Sequence, residues 1–233
     1  MRTVVIPMAG KGTRLHDQGI KVLIPVDGKP MFITAILNLG FSFDDLILVS
    51  RVEHRIEEKF GCLPHLASRI KVVEINEDTE GPLCTVLKAR EFIVPEQEVV
   101  IVNSDQILVW PGDWALTWFW RRGAVGGIPT IRDTSPRHSY VRAGETYGTI
   151  TEVKEKEPIS DRASIGVYWF RTGHQFLDAA DAVIQANSRA PNGEFYVSAV
   201  YNMLDGLILE YPMCEFWSLG EYESLTAYLE RNQ

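Results

Sequence analysis

Pro7-Met8-Ala9-Gly10-Lys11-Gly12-Thr13-Arg14 follows directly on the β-branched run Thr3-Val4-Val5-Ile6, and Lys21 stands seven residues beyond Arg14. Two glycines expose backbone N–H groups, Thr13 adds a hydroxyl, and Lys11, Arg14 and Lys21 add positive charge. Such a set makes a pocket for a triphosphate; a plain turn carrying surface cations is the alternative. Two familiar phosphate signatures do not fit. The dinucleotide fingerprint needs a third glycine where Leu15 stands, and the Walker A loop needs Gly-Lys followed by Ser or Thr, whereas Gly12 follows Lys11.

A second chemical group lies at another strand end. Val99-Val100-Ile101-Val102 runs into Asn103-Ser104-Asp105, which places a carboxylate at the C-terminal edge of a sheet. Magnesium prefers carboxylates together with substrate phosphates, so Asp105 is a natural protein anchor for a metal-bound nucleotide; an Asx turn after the strand is the alternative. Taken without context, Val153-Lys154-Glu155-Lys156-Glu157-Pro158 is a solvated strand end. Glu80-Gly81-Pro82-Leu83-Cys84-Thr85 reads as a helix start with proline in its first turn.

The elements that must position these groups alternate. Strands are expected at 3–6, 46–50, 70–75 and 99–102, and helices at 31–39, 53–60 and 83–92, with a short apolar stretch at 22–26. This pattern argues for βαβ crossovers, a mixed but mainly parallel sheet, and a Rossmann-like three-layer αβα sandwich. Beyond Trp120 strand-like runs succeed one another at 124–132, 139–142, 149–154 and 164–170. Helical periodicity returns at 173–186, 196–204 and 222–231. Trp114 and Trp118, with Trp110 before them, fall at helical spacing and are expected to form a core-packing stripe.

Composition bounds the rest. The 233 residues are 45% apolar with a formal charge of −8, which suits one continuous domain over 1–233 and disfavours a nucleic-acid partner. Cys62, Cys84 and Cys214 form no Cys-x-x-Cys pair, and the five histidines show no zinc-ligand spacing. No secretion signal, membrane span, linker or internal repeat is visible, so a cytoplasmic location is expected and no fused hexapeptide-repeat β-helix. A homo-oligomer is compatible with all of this.

Ala9-Gly10-Lys11-Gly12-Thr13-Arg14, followed by Lys21-Val22-Leu23-Ile24-Pro25-Val26, resembles the signature of the nucleotidyltransferases that activate sugar 1-phosphates and related phosphorylated metabolites. Family members usually carry proline on both sides of that lysine, where Ile20 and Val22 stand here. The resemblance implies that Met8, Ala9, Gly10, Lys11, Gly12, Thr13, Asn103 and Ser104 contact the nucleotide, with Gly81 and Thr85 beside its base. It implies Arg14 and Lys21 along the triphosphate and Mg²⁺ on Asp105. Glu155-Lys156 matches a pair whose glutamate faces the acceptor and whose lysine meets its phosphate; Gly166 and Glu194 match two further acceptor contacts. Many relatives end in Trp-x-Asp-x-Gly-Thr, whose aspartate is a second metal ligand. Here Phe216-Trp217-Ser218-Leu219-Gly220-Glu221 leaves Glu215, Ser218 or water to complete the shell.

The implied reaction transfers a nucleoside monophosphate from an NTP to a small phosphorylated acceptor, releasing pyrophosphate. The opening Ile6-Pro7-Met8-Ala9-Gly10 and the ending Trp217-Ser218-Leu219-Gly220 are similar to small bacterial enzymes that make cytidylyl or other nucleotidyl derivatives for surface polysaccharides. That similarity implies CTP, with a sugar 1-phosphate, a non-sugar phosphate or a phosphonate as acceptor. A nucleotide-sugar glycosyltransferase is the first alternative, although Asn103 breaks the Asp-x-Asp site it would prefer. A catalytically silent nucleotide-sensing homologue is the second.

Overall fold

The computed structural model describes residues 1–10, 19–212 and 215–231. In chain order the strands are β1 (Arg2–Pro7), β2 (Pro25–Val26), β3 (Lys29–Pro30), β4 (Asp45–Arg51), β5 (Ile70–Ile75), β6 (Glu98–Val102) and β7 (Gln106–Val109). They continue with β8 (Gly126–Arg132), β9 (Ser139–Ala143), β10 (Ile150–Glu155), β11 (Arg162–Ser164), β12 (Val167–Phe170), β13 (Ile208–Pro212) and β14 (Glu215–Ser218). The α-helices are α1 (Met31–Leu37), α2 (Pro82–Leu87), α3 (Gly112–Arg121), α4 (Gly173–Gln185) and α5 (Tyr222–Arg231).

Ten strands form one sheet in the order β10-β9-β11-β8-β12-β6-β1-β4-β5, with β13 joined to β8. β1 lies parallel to both β4 and β6, β4 to β5, and β8 to β13, whereas β12 is antiparallel to β6 and β8. Alternation along the central strands separates two cores. Val5, Ile47, Val49, Val99 and Ile101 pack on one face with Phe176 of α4, while Val4, Ile6, Leu46, Leu48, Val100 and Val102 pack on the other with Phe32 of α1 and Phe119 of α3. Period-two burial of apolar side chains on both faces is what a sheet between helix layers requires. The result is the expected mixed three-layer α/β fold.

A smaller apolar cluster lies under α5, where Leu225 and Tyr228 meet Ile24, Val26, Met31, Ile107 and Leu219. It joins the β2–β3 hairpin to an antiparallel ribbon of β7 and β14 that local sequence pattern did not anticipate. β13 is also additional, with its buried Glu210 paired to Arg162.

Three expectations change. The segment expected as a helix at 53–60 forms two 3-10 turns, Val52–His54 and Ile56–Cys62, with Arg55 left-handed at φ +46° between them. The 196–204 helix is a 3-10 turn, Val197–Met203. The tryptophan stripe is core only in part: α3 buries Ala115, Leu116 and Phe119, Trp110 and Trp118 pack partly buried against the same apolar cluster, and Trp114 is 59% exposed and shares an aromatic contact with Tyr211. The spacing is helical as expected, but the flank turned to the sheet is centred on Leu116 and Phe119, with Trp118 at its border. Among the described residues no helix is long and apolar enough to cross a membrane.

Candidate active site

The parallel register of β1 on β6 pairs Val5 with Ile101, so the segments leaving the two strands emerge side by side. One carries Ala9 and Gly10, the other Asn103, Ser104 and Asp105. A 3-10 turn, Lys21–Leu23, then returns Lys21 to this edge, where its Nζ donates to Asp105 Oδ2 at 2.5 Å. Each side chain retains 22% of its exposure, so the pair sits inside the cleft yet open to a ligand.

Gly220 completes this corner. Leu219 N donates to the Asp105 carbonyl at 2.8 Å, bringing the chain after β14 against the carboxylate. A Cβ at position 220 would lie 2.4 Å from Asp105 Oδ2 and 3.6 Å from Lys21 Nζ. The glycine that survives in the altered C-terminal motif therefore has a steric role.

The opposite wall begins where β10 ends. Lys156 adopts a left-handed backbone at φ +60°, which costs a non-glycine residue about 1–2 kcal/mol. Its amide donates to His138 O at 2.8 Å, fixing the turn. The ammonium donates to Tyr196 Oη and lies 4.6 Å from the centre of that ring. Tyr196 in turn donates to Glu194 Oε2 at 2.6 Å, which also accepts from Asn192 Nδ2 at 2.5 Å. Glu155 Oε2 accepts from Ser198 Oγ at 2.8 Å. Burial pushes the Glu155 carboxyl up to about 7; Glu194 adds to the rise, while Ser198 and Lys156 oppose it. Burial likewise raises the Tyr168 and Tyr196 hydroxyls above their usual range.

Two glycines hold the walls together. Gly166 lies at φ +75°, and its carbonyl accepts from Asn103 N at 2.9 Å. A Cβ there would meet Asn103 Nδ2 at 2.3 Å, so the close neighbour that requires glycine is a residue of the nucleotide side. Gly81, at φ +130°, would place a Cβ 2.5 Å from Phe195 O, and Phe195 N donates to Glu80 O at 2.8 Å. The tight approach at Gly81 is thus made by the segment carrying Glu194. Thr85, buried in α2, shares a 2.6 Å hydrogen bond with Thr79 Oγ1 and lies 3.3 Å from Gly81 O, so its hydroxyl is engaged within its own turn.

Both walls face one cleft of about 940 Å³. Ala9, Gly10, Lys21, Gly81, Thr85, Asn103, Ser104, Asp105, Glu155, Lys156, Gly166, Glu194 and Ser218 all line it. Two expected residues are not brought there. Met8 is 2% exposed with its amide donating to Val49 O, an extension of the core strand. Glu215 lies opposite Val109 at the far end of the β7–β14 ribbon, ~10 Å of extended chain from Ser218. It accepts from the Trp217 indole at 3.3 Å and meets Arg231 at 3.5 Å, and it is not among the residues that line the cleft with Asp105. Lys11, Gly12, Thr13 and Arg14 lie outside the described residues.

Among the described residues no group of three or more His, Cys, Asp or Glu side chains gathers to hold a metal. A half-open carboxylate at the strand edge nonetheless fits Mg²⁺, which is commonly held by one or two carboxylates with substrate phosphates and water filling its shell. Thr79, Arg137, His138, Tyr196 and Glu221 also line the cleft, and none of them was expected from sequence. Tyr196 was within reach, since it stands two residues from Glu194.

A cleft of about 940 Å³ at the carboxyl edge of the parallel strands of a mixed sheet, lined by Lys21 and Lys156, has the size and charge of a nucleotide site in an α/β protein. The sequence pattern of the MobA-like NTP transferase domain matches residues 4–141, and the chain belongs to that family. Curated relatives include the bifunctional protein GlmU of Thermotoga sp. (strain RQ2), 27% identical over 210 residues, covering 88% of this chain and 45% of that protein. GlmU of Heliobacterium modesticaldum is 24% identical over 228 residues, covering 91% and 47%. The chain spans about half the length of these relatives.

Solved structures share the fold. The nucleoside-diphosphate-sugar pyrophosphorylase of Vibrio cholerae RC9 superposes with a TM-score of 0.82 at 19% identity, covering 97% of this chain and 99% of that one. A glucose-1-phosphate thymidylyltransferase of Bacillus anthracis, described as putative, gives 0.79 at 18% identity, with coverage of 99% and 95%. A UDP-glucose pyrophosphorylase complexed with UDP-glucose gives 0.81 at 14%, with coverage of 100% and 98%.

Proposed function

We propose that this protein transfers a nucleoside monophosphate from a pyrimidine NTP to the phosphate of a small acceptor, a sugar 1-phosphate first among them, with release of pyrophosphate. The observation that carries this reading is that the Lys21–Asp105 pair and the Lys156–Tyr196–Glu194 cluster line one cleft. Family membership supports the reaction class.

An acceptor phosphate oxygen attacks the α phosphorus; that P–O bond forms as the α–β bridging bond breaks, and pyrophosphate leaves with the electron pair. The acceptor phosphate has its second pKa near ~6 and is largely dianionic at neutral pH, so no general base is required. What the chain must supply is alignment and positive charge. In this reading Arg14 and Lys21 run along the triphosphate, Lys156 meets the acceptor phosphate, and Glu155 and Glu194 accept hydrogen bonds from acceptor hydroxyls. Asp105 would hold Mg²⁺ together with the nucleotide phosphates; the ion supplies charge neutralisation there.

The choice of base rests on different support. CTP, and a product destined for surface polysaccharide, rest on the similarity of residues 6–10 and 217–220 to cytidylyl enzymes. Structures sharing the fold are named for UDP-glucose and for thymidylyl transfer. A pyrimidine is common to these, and CTP, UTP and dTTP are the arms that decide. The test crosses the four NTPs and dTTP with sugar 1-phosphates, aminoalkyl phosphates and phosphonates in the presence of Mg²⁺, reading pyrophosphate. One pyrimidine pairing is expected to dominate; nucleotide binding with no pyrophosphate from any pairing would replace the reading with the silent-homologue alternative.

A further inference from the structure

One cation on the rim of the cleft belongs to none of the motifs above. Arg137 lies between β8 and β9, and its guanidinium pairs with Glu221 Oε2, immediately before α5. Both residues line the cleft, so the pair ties the β8–β9 segment to the start of α5 along its wall. Arg137's side chain is 48% exposed.

The backbone under Arg137 is fixed. Ser135 N donates to Asp133 Oδ1 at 2.6 Å, Arg137 N donates to Ser135 O at 2.7 Å, and Tyr140 Oη donates to that same carbonyl. His138, the next residue, packs edge-on against Phe216 with ring centres 6.1 Å apart. Its carbonyl is the one that holds the Lys156 amide. Arg137 is therefore one residue from the tie that positions Lys156, and both cations line the cleft.

We propose that Arg137 is the second cation of the acceptor-phosphate subsite, and that its pair with Glu221 is a resting arrangement given up when a phosphate enters. The inference rests on the acceptor reading of Lys156 above. An exposed ion pair contributes little by itself. A phosphate monoester carries about two charges at neutral pH and takes a guanidinium fork bidentately, so it outcompetes a single carboxylate. Lys156 supplies a point charge and Arg137 a planar fork, a combination that orients a tetrahedral phosphate better than either alone.

The test is calorimetric titration of the full chain with inorganic phosphate, glucose 1-phosphate and Mg-UTP, comparing wild type with Arg137→Ala, Arg137→Lys and Glu221→Gln. Arg137→Ala is expected to weaken inorganic phosphate and glucose 1-phosphate about tenfold while leaving Mg-UTP unchanged. Arg137→Lys recovers part of that loss, and Glu221→Gln tightens both phosphates by removing the competitor. Wild-type affinity in Arg137→Ala, no tightening in Glu221→Gln, or a loss confined to Mg-UTP would each overturn the proposal. Binding needs no turnover, so Arg137-dependent phosphate affinity alongside a silent pyrophosphate screen would sink the transferase reading and leave this site standing.

Discussion

Lys21 and Asp105, 84 residues apart in the chain, meet through a 2.5 Å hydrogen bond at the mouth of the sheet, and the backbone of Gly220 closes over their contact. Strand pairing sets the place: β1 and β6 are neighbours in parallel register, and the 3-10 turn Lys21–Leu23 stands at the edge where β6 ends. In the proposed reaction this pair would be exchanged for a nucleotide phosphate and its metal.

Lys21→Ala and Asp105→Ala are each expected to lower turnover by at least ~100-fold, the scale of losing one positioned charge at a reacting phosphate. Neither side chain belongs to the apolar cores. Circular dichroism should therefore show an unchanged fold, and pyrophosphate release by either variant at the wild-type rate would remove the pair from the chemistry.

Gly220→Ala tests the same corner without touching a charged group. The added methyl group would stand 2.4 Å from Asp105 Oδ2 and force the carboxylate aside. Position 220 lacks a positive φ, so backbone strain plays no part in the effect. A displacement on the order of 1 Å costs ~100-fold in rate when alignment carries the catalysis. Steady-state kinetics should show the loss in kcat; an unaffected kcat would show that Asp105 need not hold its place.

Tyr196→Phe removes only the hydroxyl that accepts from Lys156 and donates to Glu194. The expected outcome is a rise in acceptor KM of about tenfold, from a lost hydrogen bond to a charged group, with the nucleotide KM unchanged. Equal effects on both substrates would place Tyr196 outside the acceptor wall.

Glu155 gives the site a pH dependence. If its carboxylate accepts acceptor hydroxyls, kcat/KM for the acceptor rises through about pH 7, where burial has placed its titration, and Glu155→Gln flattens that limb. Stability runs the other way. A carboxyl raised from 4.5 to about 7 binds its proton more tightly when folded, so its contribution is present at low pH and is lost as pH rises across that interval. Glu155→Gln should remove this slope in denaturation midpoints measured between about pH 4 and about pH 8.

Residues at strand ends were legible because alternation and length mark a buried strand, and a buried strand in an α/β sheet directs the segment after it to the ligand edge. Asp105 and Lys156 came from that logic together with a resemblance. Arg137 did not, since nothing local distinguishes a rim arginine until β8, β9 and α5 are assembled. The β7–β14 ribbon escaped because two four-residue strands pair across a long loop of sequence, which leaves no local signal. Met8 was assigned to the nucleotide through its motif, but the strand hydrogen bond to Val49 continues one residue further and buries it. The tryptophans of α3 had the right period but unequal burial: helical spacing locates a stripe, and only the sheet decides how far it is covered, so Trp118 packs on the core and Trp114 stands exposed.

The central claim is which bond the chain breaks. With the active NTP radiolabelled at the α phosphorus, label is expected in a nucleotidyl-acceptor product formed in equal amount to pyrophosphate, with both products cut by at least ~100-fold in Lys21→Ala. Label found only in free nucleoside monophosphate, or an acceptor that instead gains the γ phosphate, would contradict it.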